Sequence, residues 1–407
     1  MSSSLKQTNK LLSLTPLGMK LGLESMHALL KAIGSPQDSL KVIHIGGTNG
    51  KGSTVSYLES IAKNAGVKCG AYTSPALFDF KENIRVSGVA ISEEIAEKGL
   101  EIIFDACEKL THKKQARELT SFEVETALAF WYFKQQKCDY VFLETGLGGA
   151  LDATNVVDKP FCVALTTIDF DHTQQFGDTI EKIAKAECGI LKKNTPLIIA
   201  PQCETALKVI ENEANKLNCK IIKASEYMGE LNSTASFAML NAGLARQIAN
   251  HLSFSDLDIT SGLKAANWFG RFSVVANEPT IILDGAHNEP AIEELINSLK
   301  NNYPKTRKLI FIVGIYKDKN VGAMLAHIIH AADSIFTVDI KGVDRLETAE
   351  NLTSVIISVS NKEVHTSANM TEALSLAKQH ANKEDIVIVC GSLSIVAAAA
   401  KILNHAK

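Results

Sequence analysis

The chain reads as an α/β protein of two domains, each a mostly parallel sheet with flanking helices. Three observations predict this. Strand-like apolar runs alternate with helical stretches along most of the 407 residues, and that alternation marks a doubly wound sheet with right-handed crossovers. A glycine-rich segment at 47–53 joins one such strand to one such helix. A second alternating series begins near Gly270. The boundary is set at 272/273, giving domains 1–272 and 273–407.

In the first domain the apolar run Val42 to Ile45 reads as a buried strand and Thr54 to Ala62 as a helix. A short strand at Lys68 to Thr73 ends at Ser74-Pro75. An amphipathic helix follows over Glu93 to Leu110, and a nearly all-apolar one over Ser121 to Lys134. Strands are expected at Tyr140 to Glu144, Phe161 to Thr166, Pro196 to Ala200 and Lys220 to Ile222, with a helix at Cys203 to Leu217. In the second domain strands are expected at Ile281 to Asp284, Lys308 to Val313, Ser334 to Val338 and Asp385 to Cys390. Helices fall at Pro290 to Asn301, Val321 to Ala331 and Met370 to Ala381. The first domain is thus P-loop-type, the second a smaller Rossmann-like unit long enough to fold alone.

Composition excludes several classes. Hydrophobic residues at 46% and charged ones at 21% describe an ordinary globular chain. A net charge of −3 carries no electrostatic footprint for nucleic acid or an anionic membrane. The basic run Lys300 to Lys308 is read as a solvated loop. The eight cysteines show no metal or redox spacing, and most sit in apolar surroundings, so buried thiols in a reducing cytoplasm are expected. No signal peptide and no membrane-length apolar run is seen. Small-molecule substrates and a monomer are expected.

The strongest chemical signal is Gly47-Thr48-Asn49-Gly50-Lys51-Gly52-Ser53. Glycines let backbone N–H groups approach a polyphosphate, and the following helix N-terminus adds a favourable dipole. Lys51 would reach the terminal phosphates and the Ser53 hydroxyl would face Mg2+, so ATP binding is expected. The segment departs from the strict Walker A pattern, with Ile45 where a glycine belongs. Glu144 ends a neighbouring strand, where a carboxylate suits a metal at the phosphates; an ordinary strand-end Glu is the plain alternative. His172 follows the next strand and, on residue type alone, reads as a structural hydrogen-bonding group. Asp284-Gly285-Ala286-His287-Asn288 lies between strand and helix, as a polar binding site or, for Asn288, a cap. Gly391-Ser392 reads as an anion site at a helix N-terminus or as a turn with its cap.

Taken in order, these segments resemble the Mur ligase superfamily, and most closely the dihydrofolate synthase/folylpolyglutamate synthase family. The resemblance spans nearly the whole chain. It is carried by Lys20-Leu21-Gly22-Leu23, by residues 47–53, by Thr73-Ser74-Pro75 with Glu82-Asn83-Ile84-Arg85-Val86, and by Thr120-Ser121-Phe122-Glu123. Glu144 to Gly149 with Leu151 to Asn155, Asp171-His172, Gly270-Arg271-Phe272, Asp284 to Asn288, Gly314 with Lys317-Asp318-Lys319, and Cys390-Gly391-Ser392 complete it.

The resemblance implies an ATP-dependent amide ligase that adds L-glutamate to dihydropteroate or a folate through an acyl phosphate. It implies Ser74, Glu144 and His172 as metal ligands, and Asn241, Arg271 and Asp284 as ATP contacts. His287 and Ser392 would serve the incoming glutamate, with His287 counted among the catalytic residues. Thr120, Leu151 and residues 20–23 would line the pterin pocket. One or two Mg2+ ions are implied, and K+ is a further candidate. Closure of two domains on ATP would shield the acyl phosphate from water. Where the family carries a carbamylated lysine near the second metal, this chain has Glu187, which supplies a carboxylate closer to the backbone and is expected to act through a water. Ala76, Lys20 and Phe237-Ala238 also depart from the pattern, on the pterin and adenine sides. Two other readings remain: a diverged Mur-type ligase for another carboxylate and amine, and a nucleotide-binding protein without ligase activity.

Overall fold

A computed structural model describes residues 5–15, 22–303 and 307–404. The chain divides into two compact units. The first comprises 1–168, 174–230 and 240–266; the second comprises 169–173, 231–239 and 267–407.

The first unit holds an eight-stranded sheet. Its strands are β1 (Val42–Gly46), β2 (Cys69–Tyr72), β3 (Ile84–Val86), β4 (Val89–Ala90), β5 (Tyr140–Glu144), β6 (Cys162–Leu165), β7 (Leu197–Ile199) and β8 (Ile221–Lys223), in the order β4-β3-β2-β5-β1-β6-β7-β8. From β2 to β8 every neighbouring pair is parallel. The β3–β4 hairpin is antiparallel and unpredicted, because Ile84–Val86 is too short for a periodic signal. β1 is buried throughout, as a central strand covered on both faces must be. The chain passes from β5 on one side of β1 to β6 on the other, so β1 borders a topological switch point, where ligands of such sheets bind. Register sets Ile45 beside Glu144 and Gly46 beside Leu165, so the loops after β1, β5 and β6 leave one edge together.

The helix Ser121–Gln135 shows why local chemistry suffices for some elements. Thr120 accepts the Glu123 N–H while Glu123 accepts the Thr120 N–H, a capping box that fixes the helix start. Most of its residues are buried in the larger core of this unit. Two further helices, Ser236–His251 and Asp256–Ala265, lie in the stretch left without elements by the sequence reading.

The second unit holds a six-stranded sheet, ordered β13-β12-β11-β14-β10-β9. The strands are β9 (Ser273–Asn277), β10 (Thr280–Leu283), β11 (Leu309–Val313), β12 (Ser334–Val338), β13 (Glu363–Ser367) and β14 (Ile386–Cys390). All pairs are parallel except β9–β10. The helix Val321–Ala331 and the strand Ser334–Val338 match expectation residue for residue. The helix Ala349–Val359 and the half-exposed strands β9 and β13 were not anticipated, since their polar faces break the apolar runs. The helix Glu289–Asn302 takes up Lys300, the start of the basic run expected as loop, and 304–306 lie outside the described residues. Five cysteines are buried, Cys107 and Cys138 are partly so, and only Cys203 is exposed. Among the described residues no helix is long and apolar enough to cross a membrane.

Candidate active site

Each unit gathers its own polar cluster at the carboxyl ends of its strands. In the first, the segment after β1 is a backbone cradle. Gly47 has φ 116° and Gly50 φ 92°, both in the region that favours glycine. A Cβ on Gly47 would meet the Thr166 hydroxyl at 2.3 Å, so the loop lies hard against the end of β6. The N–H groups of Thr48 and Asn49 are turned to the Thr167 carbonyl, at 3.1 and 3.4 Å. Lys51 opens the helix Lys51–Asn64, and its ammonium donates to the carbonyls of Gly47 (2.6 Å) and Thr48 (3.0 Å). The charge is therefore folded back over the loop. Gly52 is half-buried and Ser53 buried in the first helical turn. Asn241 packs against Gly50 so closely that a Cβ there would lie 2.1 Å from its Oδ1.

Glu187 is brought to this loop. It is buried, and its Oε2 accepts the Gly47 N–H at 2.9 Å. Ser74 and Glu144 also come together, the Ser74 N–H donating to Glu144 Oε2 at 3.2 Å. Ser74 and the buried Glu144 are thus neighbours, and serine and carboxylate oxygens are hard donors of the kind a magnesium-type ion takes, unlike a softer one. Behind them Asp152, buried, accepts N–H groups of Gly146, Leu147 and Thr154 and so holds the turn after β5. Leu151 rides on that turn, 49% exposed. Thr120 spends its hydroxyl on the capping box. Leu23 packs on the larger core, and Gly22 precedes it in a left-handed conformation. Lys20 and Leu21 lie outside the described residues.

Beside Ser74 opens a cavity of about 280 Å³ walled by Leu77, Phe78, Phe80 and Phe122, with Asn83 and Glu125 at its polar side. Asn83 Nδ2 donates to Glu125 Oε2 at 3.0 Å. Burial nevertheless pushes the Glu125 carboxyl up to about 7. Sequence reading missed Glu125. The available signal was a charge set inside a nearly all-apolar helix.

In the second unit Asp171 is a hub. It accepts from Asn288 Nδ2 at 2.9 Å and pairs with the Lys319 ammonium. The Nε2 atoms of His172 and His287 lie 3.7 and 3.8 Å from its Oδ2. Burial raises the Asp171 carboxyl, but His172 and Lys319 outweigh it and hold the group below the usual carboxylate range. His287 is pushed down to about 3 by burial and by the charges of Lys319 and Arg271. It is therefore neutral, with Nδ1 facing the Gly285 carbonyl at 2.8 Å and donating to it, which leaves Nε2 as the basic nitrogen. Asp284 binds the Phe272 and Ala286 N–H groups, both at 2.7 Å, and burial raises its carboxyl. Arg271 donates to the Gly285 carbonyl at 3.1 Å. Ser392 is fully buried at the start of the helix Leu393–Ile402, and its Oγ has no partner among the described residues. An orphaned buried hydroxyl at a helix N-terminus is the signature of a group awaiting an anionic ligand. Asp171 and Lys319 as a pair were not legible in sequence, because 148 residues separate them.

A glycine loop among the strand ends of one unit and an acid–imidazole–lysine cluster in the other suit a nucleotide-using enzyme, and the family matches give its class as a ligase. Residues 45–263 match the Mur ligase middle domain and residues 270–393 the Mur ligase glutamate ligase domain. The chain is 31% identical to the dihydrofolate synthase/folylpolyglutamate synthase of Bacillus subtilis, over 93% of this chain and 94% of that one. It is 32% identical to the Escherichia coli protein of the same name, over 94% and 92%. The solved E. coli FolC structure in complex with DHPP and ADP superposes with a TM-score of 0.88 at 30% identity, covering 99% of this chain and 98% of that one. The chain belongs to the Mur ligase family, in its dihydrofolate synthase/folylpolyglutamate synthase branch. It is an ATP-dependent ligase.

Proposed function

We propose that this ligase joins L-glutamate to dihydropteroate, to a folate (poly)glutamate, or to both, in the cytoplasm and as a monomer. A carboxylate oxygen of the acceptor attacks the γ-phosphorus of ATP as the bond to the ADP oxygen breaks. The glutamate amine then attacks the acyl carbon, and phosphate leaves. Both partners of the first step are anions, so charge neutralisation is the main requirement. The observation that carries the reading is Lys51: its ammonium is already held over the Gly47 and Thr48 carbonyls at the mouth of the cradle.

Ser74 and Glu144 would hold Mg2+, with His172 as a further ligand by resemblance, and the ion when bound would neutralise charge on the phosphates. A second Mg2+ and a K+ ion are proposed on resemblance alone. Glu187 supports the loop through the Gly47 N–H, and its carboxylate is proposed to serve the metal region through a water. Gly47 to Ser53, Asn241, Arg271 and Asp284 are proposed to bind ATP, the last acting through the Phe272 and Ala286 amides it fixes. Neutral His287 would accept a hydrogen bond at Nε2 from the glutamate amine and so orient it, and Ser392 would anchor a glutamate carboxylate. The Phe122–Glu125 cavity, together with Gly22, Leu23, Thr120 and Leu151, is proposed to take the aromatic end of the acceptor; Lys20 and Leu21 are assigned there by resemblance. The functional domains are proposed to meet at 272/273, a few residues past the step in packing at Ala266.

The test is ATP-dependent phosphate release with L-glutamate and either dihydropteroate or a reduced folate monoglutamate. Turnover with one alone assigns the activity. No turnover with either refutes the folate reading and leaves the diverged ligase. Lys51→Ala should lower turnover by about 100-fold or more while circular dichroism stays unchanged. Glu187→Gln should also lose activity, and a fully active variant would remove Glu187 from the machinery.

A further inference from the structure

We propose a further metal site, for a Zn2+-class ion and separate from the ligase site, on the edge of the second unit's sheet, formed by Glu363, His365 and His380. Nothing in the ligase reaction needs it. Glu363 and His365 stand two apart on β13, so they share a face of the strand. β13 is an edge strand of this sheet, bonded among the described residues to β12 alone. His380 ends the helix Met370–His380, which packs on β11, β12 and β13.

The ligand atoms converge. Glu363 Oε1 lies 3.1 Å from His365 Nε2 and 3.8 Å from His380 Nε2, and the three groups' candidate donor atoms fall within 4.8 Å of one another. Ligands at ordinary zinc distances in a tetrahedron stand about 3.4 Å apart. The observed separations bracket that value, so small side-chain rotations suffice.

The imidazoles are also oriented from behind. His380 Nδ1 sits 2.8 Å from the Leu376 carbonyl, to which it donates, leaving the Nε2 lone pair facing Glu363. A second nitrogen tied to a backbone carbonyl is the usual arrangement of a metal-ligating histidine. His365 is stacked on Phe336, with centroids 4.8 Å apart and planes at 16°, which holds its ring plane. Side-chain exposures of 57%, 34% and 35% for Glu363, His365 and His380 leave the site open to solvent, as metal entry requires. Two nitrogens and one carboxylate favour Zn2+ or a neighbouring transition ion over Mg2+, which takes oxygen ligands. Water would fill the fourth position. The bound ion would staple the edge strand to the end of the helix that covers it.

The full chain, stripped with EDTA and dialysed, should be titrated with ZnCl2 against a chromophoric chelator, alongside His380→Ala and Glu363→Gln. The intact chain is expected to hold one more equivalent of Zn2+ than either variant, or to hold it at least tenfold more tightly. Its thermal midpoint should rise with Zn2+ and the variants' should not, while all three melt alike in EDTA. Equal stoichiometry and equal midpoint response in all three proteins would overturn the proposal and leave an ordinary histidine–glutamate ion pair. A variant that melts low in EDTA is replaced by His365→Gln, judged by the same two readouts.

Discussion

At the scale of single residues, the informative groups are those whose charge state is set by burial. Glu125 is the clearest. Its carboxyl ordinarily titrates at 4.5 and is pushed up to about 7 by loss of water, with Asn83 offsetting part of the shift. The sign follows from linkage. The folded value lies above the unfolded one, so the folded chain keeps the proton through this window, and stability falls as pH rises across it. Glu125→Gln should remove that fall, amounting to about 2–3 kcal/mol between pH 4.5 and 7.5 in urea unfolding. An unchanged pH profile would show that the carboxyl is hydrated in solution. Near neutral pH a protonated Glu125 can also donate a hydrogen bond into the cavity, which an ionised one cannot. His287 behaves in the opposite sense, kept neutral so that Nε2 can accept.

At the scale of elements, the cradle shows how a turn can be decided by two different constraints. Gly50 carries φ 92° and also faces Asn241, whose Oδ1 would sit 2.1 Å from an added Cβ. The dihedral and the contact are separable. Gly50→Ala should cost about 1–2 kcal/mol for the left-handed backbone, plus a clash term. In the pair Gly50→Ala/Asn241→Ala the clash term should return and the backbone term should not. A double-mutant cycle in urea gives the split; strict additivity would mean that Asn241 does not press on Gly50. Elements with a strong local signal were legible beforehand. Val321–Ala331 and Ser334–Val338 fell where expected because their apolar periodicity is unbroken. β3, β4, β9 and β13 were not, because short or half-exposed strands owe their existence to a paired neighbour and not to their own pattern.

At the scale of the whole molecule, the second unit is not one continuous stretch. It takes 169–173 and 231–239 from earlier in the chain. Ala235 and Ala238 are buried in its core, and Ser236 bonds to Ser298 and Glu294. A fragment 267–407 should therefore melt below the same fragment carrying 231–239 on a Gly/Ser linker; equal midpoints would make the segment a passive passenger. What the sequence by itself determined is the α/β class, the strand–glycine loop–helix that carries Lys51, and the family, because all three are written in local order and spacing. The positions of Glu144 at the end of β5, and of His287 and Ser392 in the segments that follow β10 and β14, were legible for the same reason. The tertiary structure alone decided that Glu187 reaches the Gly47 amide, that Asp171 collects Asn288 and Lys319, and that Glu125 borders a cavity. It also brought His380 to Glu363 and His365. The physical reason is one and the same: sheet register and helix packing join positions far apart in the chain, and a one-dimensional pattern carries no record of which strand end will stand beside which.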